Sequence, residues 1–141
     1  MNPCRVLVVD DNRDVCESLV VVLELLGHRG LAIDSGARAL EVLQEADETD
    51  DAFGLAFVDI GMPIMSGYEL VSAMRRVSAG ANLPIVALTG WVTDEDRDRA
   101  KEAGFDLHLA KPIELPELQA LLQRVALGSL GDGHARSVNP S

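Results

Sequence analysis

An α/β fold built on a doubly wound sheet of five parallel strands is predicted by three features of this 141-residue chain. Apolar runs of strand length alternate five times with segments of helical period. The first, third and fourth runs are almost continuously aliphatic, as strands covered by helices on both faces are. The connections between them are short, which favours right-handed βαβ crossovers.

Strands are expected over about 5–9 (Arg-Val-Leu-Val-Val), 30–33, 54–58 (Gly-Leu-Ala-Phe-Val), 84–88 (Pro-Ile-Val-Ala-Leu) and 106–109. The first helix carries an apolar stripe at Val15, Leu19, Val22, Leu23 and Leu26. The third shows Leu70, Val71, Met74 and Val77, and the last Leu115, Leu118, Leu122 and Val125. Asp14 with Glu17, and Ser66 with Glu69, have the form of capping boxes; Thr93 with Asp96 is a looser version. Gly27, Gly80 and Gly104 sit where helices should end. The fourth helix, about 94–103, offers only alanines to a core. Its helicity must rest on caps and surface pairs, which places it among the more mobile elements. From Gly128 the sequence takes on the composition of a tail, so a domain over 1–127 and a flexible tail over 128–141 are expected.

Charge narrows the function. Twelve Lys and Arg against 23 Asp and Glu give a net charge of −11. That disfavours a nucleic acid partner, which is held by basic side chains, and disfavours an anionic membrane surface. No run approaches the roughly 18 apolar residues of a membrane helix. Met1-Asn2-Pro3-Cys4-Arg5 leads straight into a strand without a signal-peptide layout. Cys4 and Cys16 are too few for a disulfide framework and lack metal spacing, so small buried hydrophobes in a reducing cytoplasm are expected. Most of the 23 acids belong to a solvated surface.

A few do not. In open α/β sheets, ligands sit beyond the carboxyl ends of the strands. Asp10, Asp11 and Asn12 follow the first strand, and Asp59-Ile60-Gly61-Met62-Pro63 the third. Thr89 and Gly90 follow the fourth; Lys111 and Pro112 follow the fifth. Two carboxylates about 4 Å apart repel by roughly 4 kcal/mol at an effective dielectric near 20, and here there are three. Such a group takes up a proton or a hard cation. Oxygen ligands with room for water suit Mg²⁺ and a phosphoryl group. Lys111 and Thr89 offer that group a point charge and a hydroxyl donor. One carboxylate could then be the nucleophile of an aspartyl phosphate.

Val6-Leu-Val-Val-Asp-Asp-Asn12, Val58-Asp-Ile-Gly-Met-Pro-Ile-Met-Ser-Gly67, Ala87-Leu-Thr-Gly90 and Leu109-Ala-Lys-Pro112 together resemble the receiver domain of two-component response regulators. The resemblance runs over about residues 4–127, with the motifs in order. It implies a (βα)5, flavodoxin-like receiver fold with strand order 2-1-3-4-5. It implies Asp59 as phosphoacceptor, Asp11 as direct carboxylate ligand of Mg²⁺, and Asp10 as a second acid acting through metal-bound water. Gly61 would give the metal its backbone carbonyl, Lys111 would contact the phosphoryl group, and Thr89 would be the switch hydroxyl. Pro112 resembles the family proline that follows a cis peptide bond.

Departures from the family are also visible. His108 stands where Tyr or Phe usually acts as a rotameric switch, so a switching role and a half-exposed strand-end histidine are both open. Trp91 is bulkier than many residues at its position and could shield the phosphoryl group from water. Ser66 replaces a common Asp or Asn but keeps the capping function. These features look more like receivers attached to hybrid histidine kinases than like DNA-binding regulators.

The implied function is a phosphorylation-controlled signalling module with no output domain of its own and no enzymatic turnover beyond its own phosphorylation and dephosphorylation. Its donor would be a histidine kinase or phosphotransfer protein, and its downstream protein target is unknown. The fourth helix, fifth strand and fifth helix would form the docking face. A haloacid-dehalogenase-type phosphatase is the alternative, but its nucleophile and general acid would be Asp10 and Asn12, and an amide cannot protonate a leaving group. No glycine-rich nucleotide-binding motif follows a strand.

Overall fold

The computed structural model describes residues 5–49, 52–61, 66–90 and 93–126. In chain order the elements are β1 (Arg5–Val9), α1 (Arg13–Leu25), β2 (Arg29–Ile33), α2 (Gly36–Asp47), β3 (Leu55–Asp59) and α3 (Gly67–Met74). There follow α4 (Ser78–Ala81), β4 (Ile85–Thr89), α5 (Asp94–Ala103), β5 (Leu107–Ala110) and α6 (Leu115–Ala126). All five strands pair in parallel, in the order β2-β1-β3-β4-β5. Each lies within one residue of its expected position.

Alternate strand residues feed opposite faces of the sheet. Leu7, Val9, Val58 and Ala87 pack beneath α2, α3 and α5, against Leu43, Leu70, Met74 and Ala100. Val8, Phe57, Val86 and Leu109 pack beneath α1 and α6, against Leu19, Leu23, Leu118 and Leu122. Burying one such side chain contributes about 1.5–3 kcal/mol, and Phe57 is fully buried. Truncating Phe57 to alanine would cost about 3–5 kcal/mol. Two apolar faces explain why the central strands read as unbroken apolar runs.

Three local expectations are corrected. The N-cap of α1 is Asn12, whose side-chain oxygen accepts the Val15 N–H at 3.2 Å; Asp14 lies in the first turn instead. There its carboxylate faces the positive end of the helix dipole. The expected third helix is two: α3 ends at Met74, and Val77 becomes the N-cap residue of α4. Gly80 therefore lies inside α4 and ends nothing; a Cβ there would collide with the carbonyl of Met74. Gly27 and Gly104 do stand past helix ends, at φ +94° and +124°.

The other caps fall where the sequence places them. Ser66 and Glu69 form a complete box, as do Thr93 and Asp96. Cys16 is buried, its Sγ donates to the carbonyl of Val8 at 3.2 Å, and burial pushes its pKa up to about 11. Cys4, Trp91, residue 127 and the expected tail at 128–141 lie outside the described residues. Among the described residues no helix is long and apolar enough to cross a membrane.

Candidate functional site

The carboxyl ends of β1, β3, β4 and β5 bring the expected polar residues to one edge of the sheet. Asp10 continues β1 by donating its N–H to the carbonyl of Ile33 at 3.1 Å. Its side chain is wholly buried. One carboxylate oxygen accepts the Asn12 N–H at 2.9 Å, and the other lies 2.8 Å from Lys111 Nζ. Asp59, the last residue of β3, accepts the Gly61 N–H at 3.2 Å on Oδ1, which is 3.4 Å from the same Nζ. Asp11 is exposed at the rim. One carboxylate oxygen from each of Asp10, Asp11 and Asp59 lies within 4.8 Å of the other two.

Backbone geometry sets these positions. Gly67 opens α3 directly against β3: its N–H donates to the Ile60 carbonyl at 3.0 Å. A Cβ at Gly67 would stand 2.6 Å from the carbonyl oxygen of Asp59, so only glycine allows this approach. Lys111 is tied to β4, its N–H donating to the Thr89 carbonyl at 2.7 Å. The Lys111–Pro112 peptide is cis. Thr89 closes β4 opposite Ala110 and is half-buried.

The charges act on one another. Burial raises the pKa of Asp59, and the charge of Asp10 raises it further, against the Gly61 hydrogen bond and Lys111. Burial alone would lower the Lys111 pKa, but the hydrogen bond to Asp10 and the charges of Asp59 and Asp10 outweigh it and hold it above normal. Three carboxylates against one ammonium leave an excess of negative charge. An all-oxygen donor set with one exposed member fits a hard divalent cation that keeps part of its water.

His108 does not carry a carboxylate partner into this group. It pairs in register with Ala87, on the sheet face covered by α5, and is half-buried. Burial, then the charge of Arg97, lower its pKa.

Two features were not visible in the sequence. Arg75 reads as an ordinary surface cation but binds mainly backbone carbonyls, which leave no trace in residue identity. A cavity of about 710 Å³ opens beside Lys111, between α1 and the start of α6, lined by Val15, Leu19, Val22, Leu25 and Leu115. Leu25 is 81% exposed and Leu115 49%.

Fold and site together define an α/β domain with an acidic, lysine-closed pocket at the strand ends. The response regulator receiver domain model matches residues 6–123, and the chain belongs to that family of two-component signalling modules. It is 34% identical over 122 residues to an uncharacterized 14.6 kDa protein of Leptolyngbya boryana, covering 86% of this chain and 89% of that one. The structure superposes on the chemotaxis protein CheY4 of Vibrio cholerae with a TM-score of 0.78 and 30% identity, over 88% of this chain and 99% of the other. The receiver domain of the sensor histidine kinase PA1611 from Pseudomonas aeruginosa, solved with magnesium in its active site cleft, gives a TM-score of 0.77. It is 27% identical, over 93% of this chain and all of that domain. Other curated relatives are longer proteins, of which the chain spans 14 to 57%. The phosphatase alternative has no support in these matches.

Proposed function

We propose that Asp59 accepts a phosphoryl group from the phosphohistidine of a histidine kinase or phosphotransfer protein. The observation that carries this is the cluster of three carboxylates within 4.8 Å, closed by one lysine that reaches two of them. A carboxylate oxygen of Asp59 attacks phosphorus, the P–N bond to imidazole breaks, and the imidazole leaves with its electron pair. Asp10, Asp11 and Asp59, with the backbone carbonyl of Gly61, would hold Mg²⁺, which when bound offsets charge on the phosphoryl oxygens.

Each neighbour has a task. Lys111, held by Asp10, presents its ammonium beside Asp59, where negative charge gathers during transfer. The Gly61 N–H keeps Asp59 oriented. Thr89 offers a hydroxyl to the phosphorylated side chain, and Pro112 shapes the loop that carries Lys111. A protein donor is supported by the apolar cavity beside Lys111, with Leu25 and Leu115 exposed at its mouth.

Phosphorylation adds about −1.5 to −2 charge at Asp59. The output is a changed protein contact through α5, β5 and α6, with Thr89 and His108 as the switching side chains. A reducing cytoplasm is the setting, supported by a sequence whose two cysteines are too few for a disulfide framework.

Radiolabelled transfer from a phosphohistidine donor tests the assignment. The label should reach the chain only with Mg²⁺, and not the Asp59→Asn variant. Labelled Asp59→Asn, or steady hydrolysis of a phosphate monoester by that variant, would overturn it.

A further inference from the structure

The packing of α5 is lopsided. Of its ten residues only Ala100 is buried. Midway along, the Arg99 guanidinium lies 4.3 Å over the ring of Tyr68, which meets Phe105 edge-on at 6.4 Å between centroids. Its first turn is closed by its own Thr93–Asp96 box. Nothing in these contacts holds the first turn as a hydrophobic face would.

The carboxyl end is different. Gly104 caps α5 at φ +124°, and its carbonyl accepts from Arg75 Nε at 3.1 Å and Nη2 at 2.6 Å. The same guanidinium donates through Nη1 to the carbonyls of Gly80 at 2.9 Å and Leu83 at 2.6 Å. Nη2 also pairs with Asp106 Oδ2 at 3.0 Å, and that oxygen accepts the Ile85 N–H at 2.9 Å. One planar fork thus joins the end of α3, the end of α4, the entry to β4, the cap of α5 and the entry to β5. The rigid fork of arginine suits this; a lysine would supply the charge without the geometry. The Arg75 side chain is 22% exposed and that of Asp106 9%.

This knot sits at the entry end of β4 and β5, while Thr89 and Lys111 stand at the exit end. At about 3.3 Å per residue, roughly 13–17 Å of strand separates the two ends. The first turn of α5 begins five residues after Thr89, and Leu88 beside Thr89 pairs in register with Asp59.

We propose that Arg75 is the fulcrum of α5: occupation of Asp59 by a phosphoryl group moves or loosens the first turns of the helix while Gly104, Phe105 and Asp106 stay fixed. The proposal rests on the reading of Asp59 as phosphoacceptor. A helix pinned at one end and thinly packed elsewhere turns a small shift at the strand exits into a swing of its free end. Arg75 is a positioning residue and touches none of the reacting atoms.

Hydrogen exchange of backbone amides in the full chain tests this, with beryllofluoride and Mg²⁺ as the phosphoryl mimic. In the free chain, the amides of Gly104, Phe105 and Asp106 should exchange at least about tenfold more slowly than those of Arg97 to Arg99. Adding the mimic should change the latter group about threefold or more and the former less than about twofold. Binding is followed separately as a rise in melting temperature above that with Mg²⁺ alone, and that further rise is absent in Asp59→Asn. A melting shift with equal exchange changes along all of α5 would overturn the fulcrum and leave the phosphoacceptor standing. No melting shift would overturn the phosphoacceptor, and the fulcrum with it. Arg75→Lys should bring the two amide groups within about threefold of each other in the free chain; an unchanged contrast would overturn the proposal. If Arg75→Lys does not fold, the wild-type comparison decides alone.

Discussion

Lys111 Nζ lies 2.8 Å from Asp10 and 3.4 Å from Asp59, so a single ammonium serves two buried carboxylates. Among the described residues no other cation pairs with either carboxylate, so removing it leaves their charges uncompensated. Lys111→Met should destabilise the metal-free fold by roughly 1–3 kcal/mol in urea titrations, less than a fully buried pair because a quarter of the side chain meets water. Mg²⁺ should bind the variant more tightly while phosphoryl transfer falls. Weaker Mg²⁺ binding would contradict the assigned charge balance.

Asp59→Asn should do the opposite to stability. Burial and Asp10 raise the Asp59 pKa, so the folded state resists its ionisation. Stability is therefore lost as pH rises from the ordinary carboxylate value of 3.8 through the raised one, and the asparagine variant avoids that loss. At pH 7 the variant should melt about 3–5 °C higher without metal, for a gain near 1 kcal/mol. A lower melting temperature would show that like-charge strain is not what the site stores.

Adding Mg²⁺ should raise the melting temperature of the wild type, by about 2.7 kcal/mol of linkage at a hundredfold excess over Kd. Asp10→Asn with Asp11→Asn should abolish the response at constant ionic strength. An equal rise in that double variant would mean general screening rather than a site.

Acid should weaken the fold well above the carboxylate range. Burial lowers the pKa of His28, and burial with Arg97 lowers that of His108, from an ordinary 6.5. The unfolded chain takes up these protons first, so the contribution is complete above 6.5 and is lost as pH falls through the lowered values. Each histidine adds a slope of at most about 1.4 kcal/mol per pH unit. Denaturation midpoints between pH 7.5 and 5 should show the loss, and His108→Phe should flatten part of it.

Gly67→Ala would place a methyl 2.6 Å from the Asp59 carbonyl and the Ile60 Cα. Backbone must give way, at a cost of about 1–3 kcal/mol. Because the atoms displaced belong to Asp59 and its neighbour, phosphoryl acceptance should fall more than tenfold. Full acceptance by a folded Gly67→Ala protein would show that the close approach is incidental.

The sheet was legible because strands buried on both faces must be apolar throughout, as Val6 to Val9 and Leu55 to Val58 are. The acids were legible for a related reason: in such a sheet the residue just past an apolar run has one place to go. The start of α1 was ambiguous, since Asn12 and Asp14 are both good caps two residues apart, and only the backbone chose. The break after Met74 was hidden because Val77 continues the apolar period of α3 while capping α4. Arg75 was opaque for a deeper reason. Its partners are carbonyl groups, which every residue has.

The two ends of the lysine bridge are 101 residues apart in the chain. Asp10 and Asp59 leave the ribosome early, and at about 5–20 residues per second Lys111 follows Asp59 by roughly 3–10 s. A nascent or prematurely terminated chain therefore holds the acids but not the cation that reconciles them. Competence to receive a signal arrives only with the last strand, so the pocket doubles as proof that synthesis of the sheet was completed.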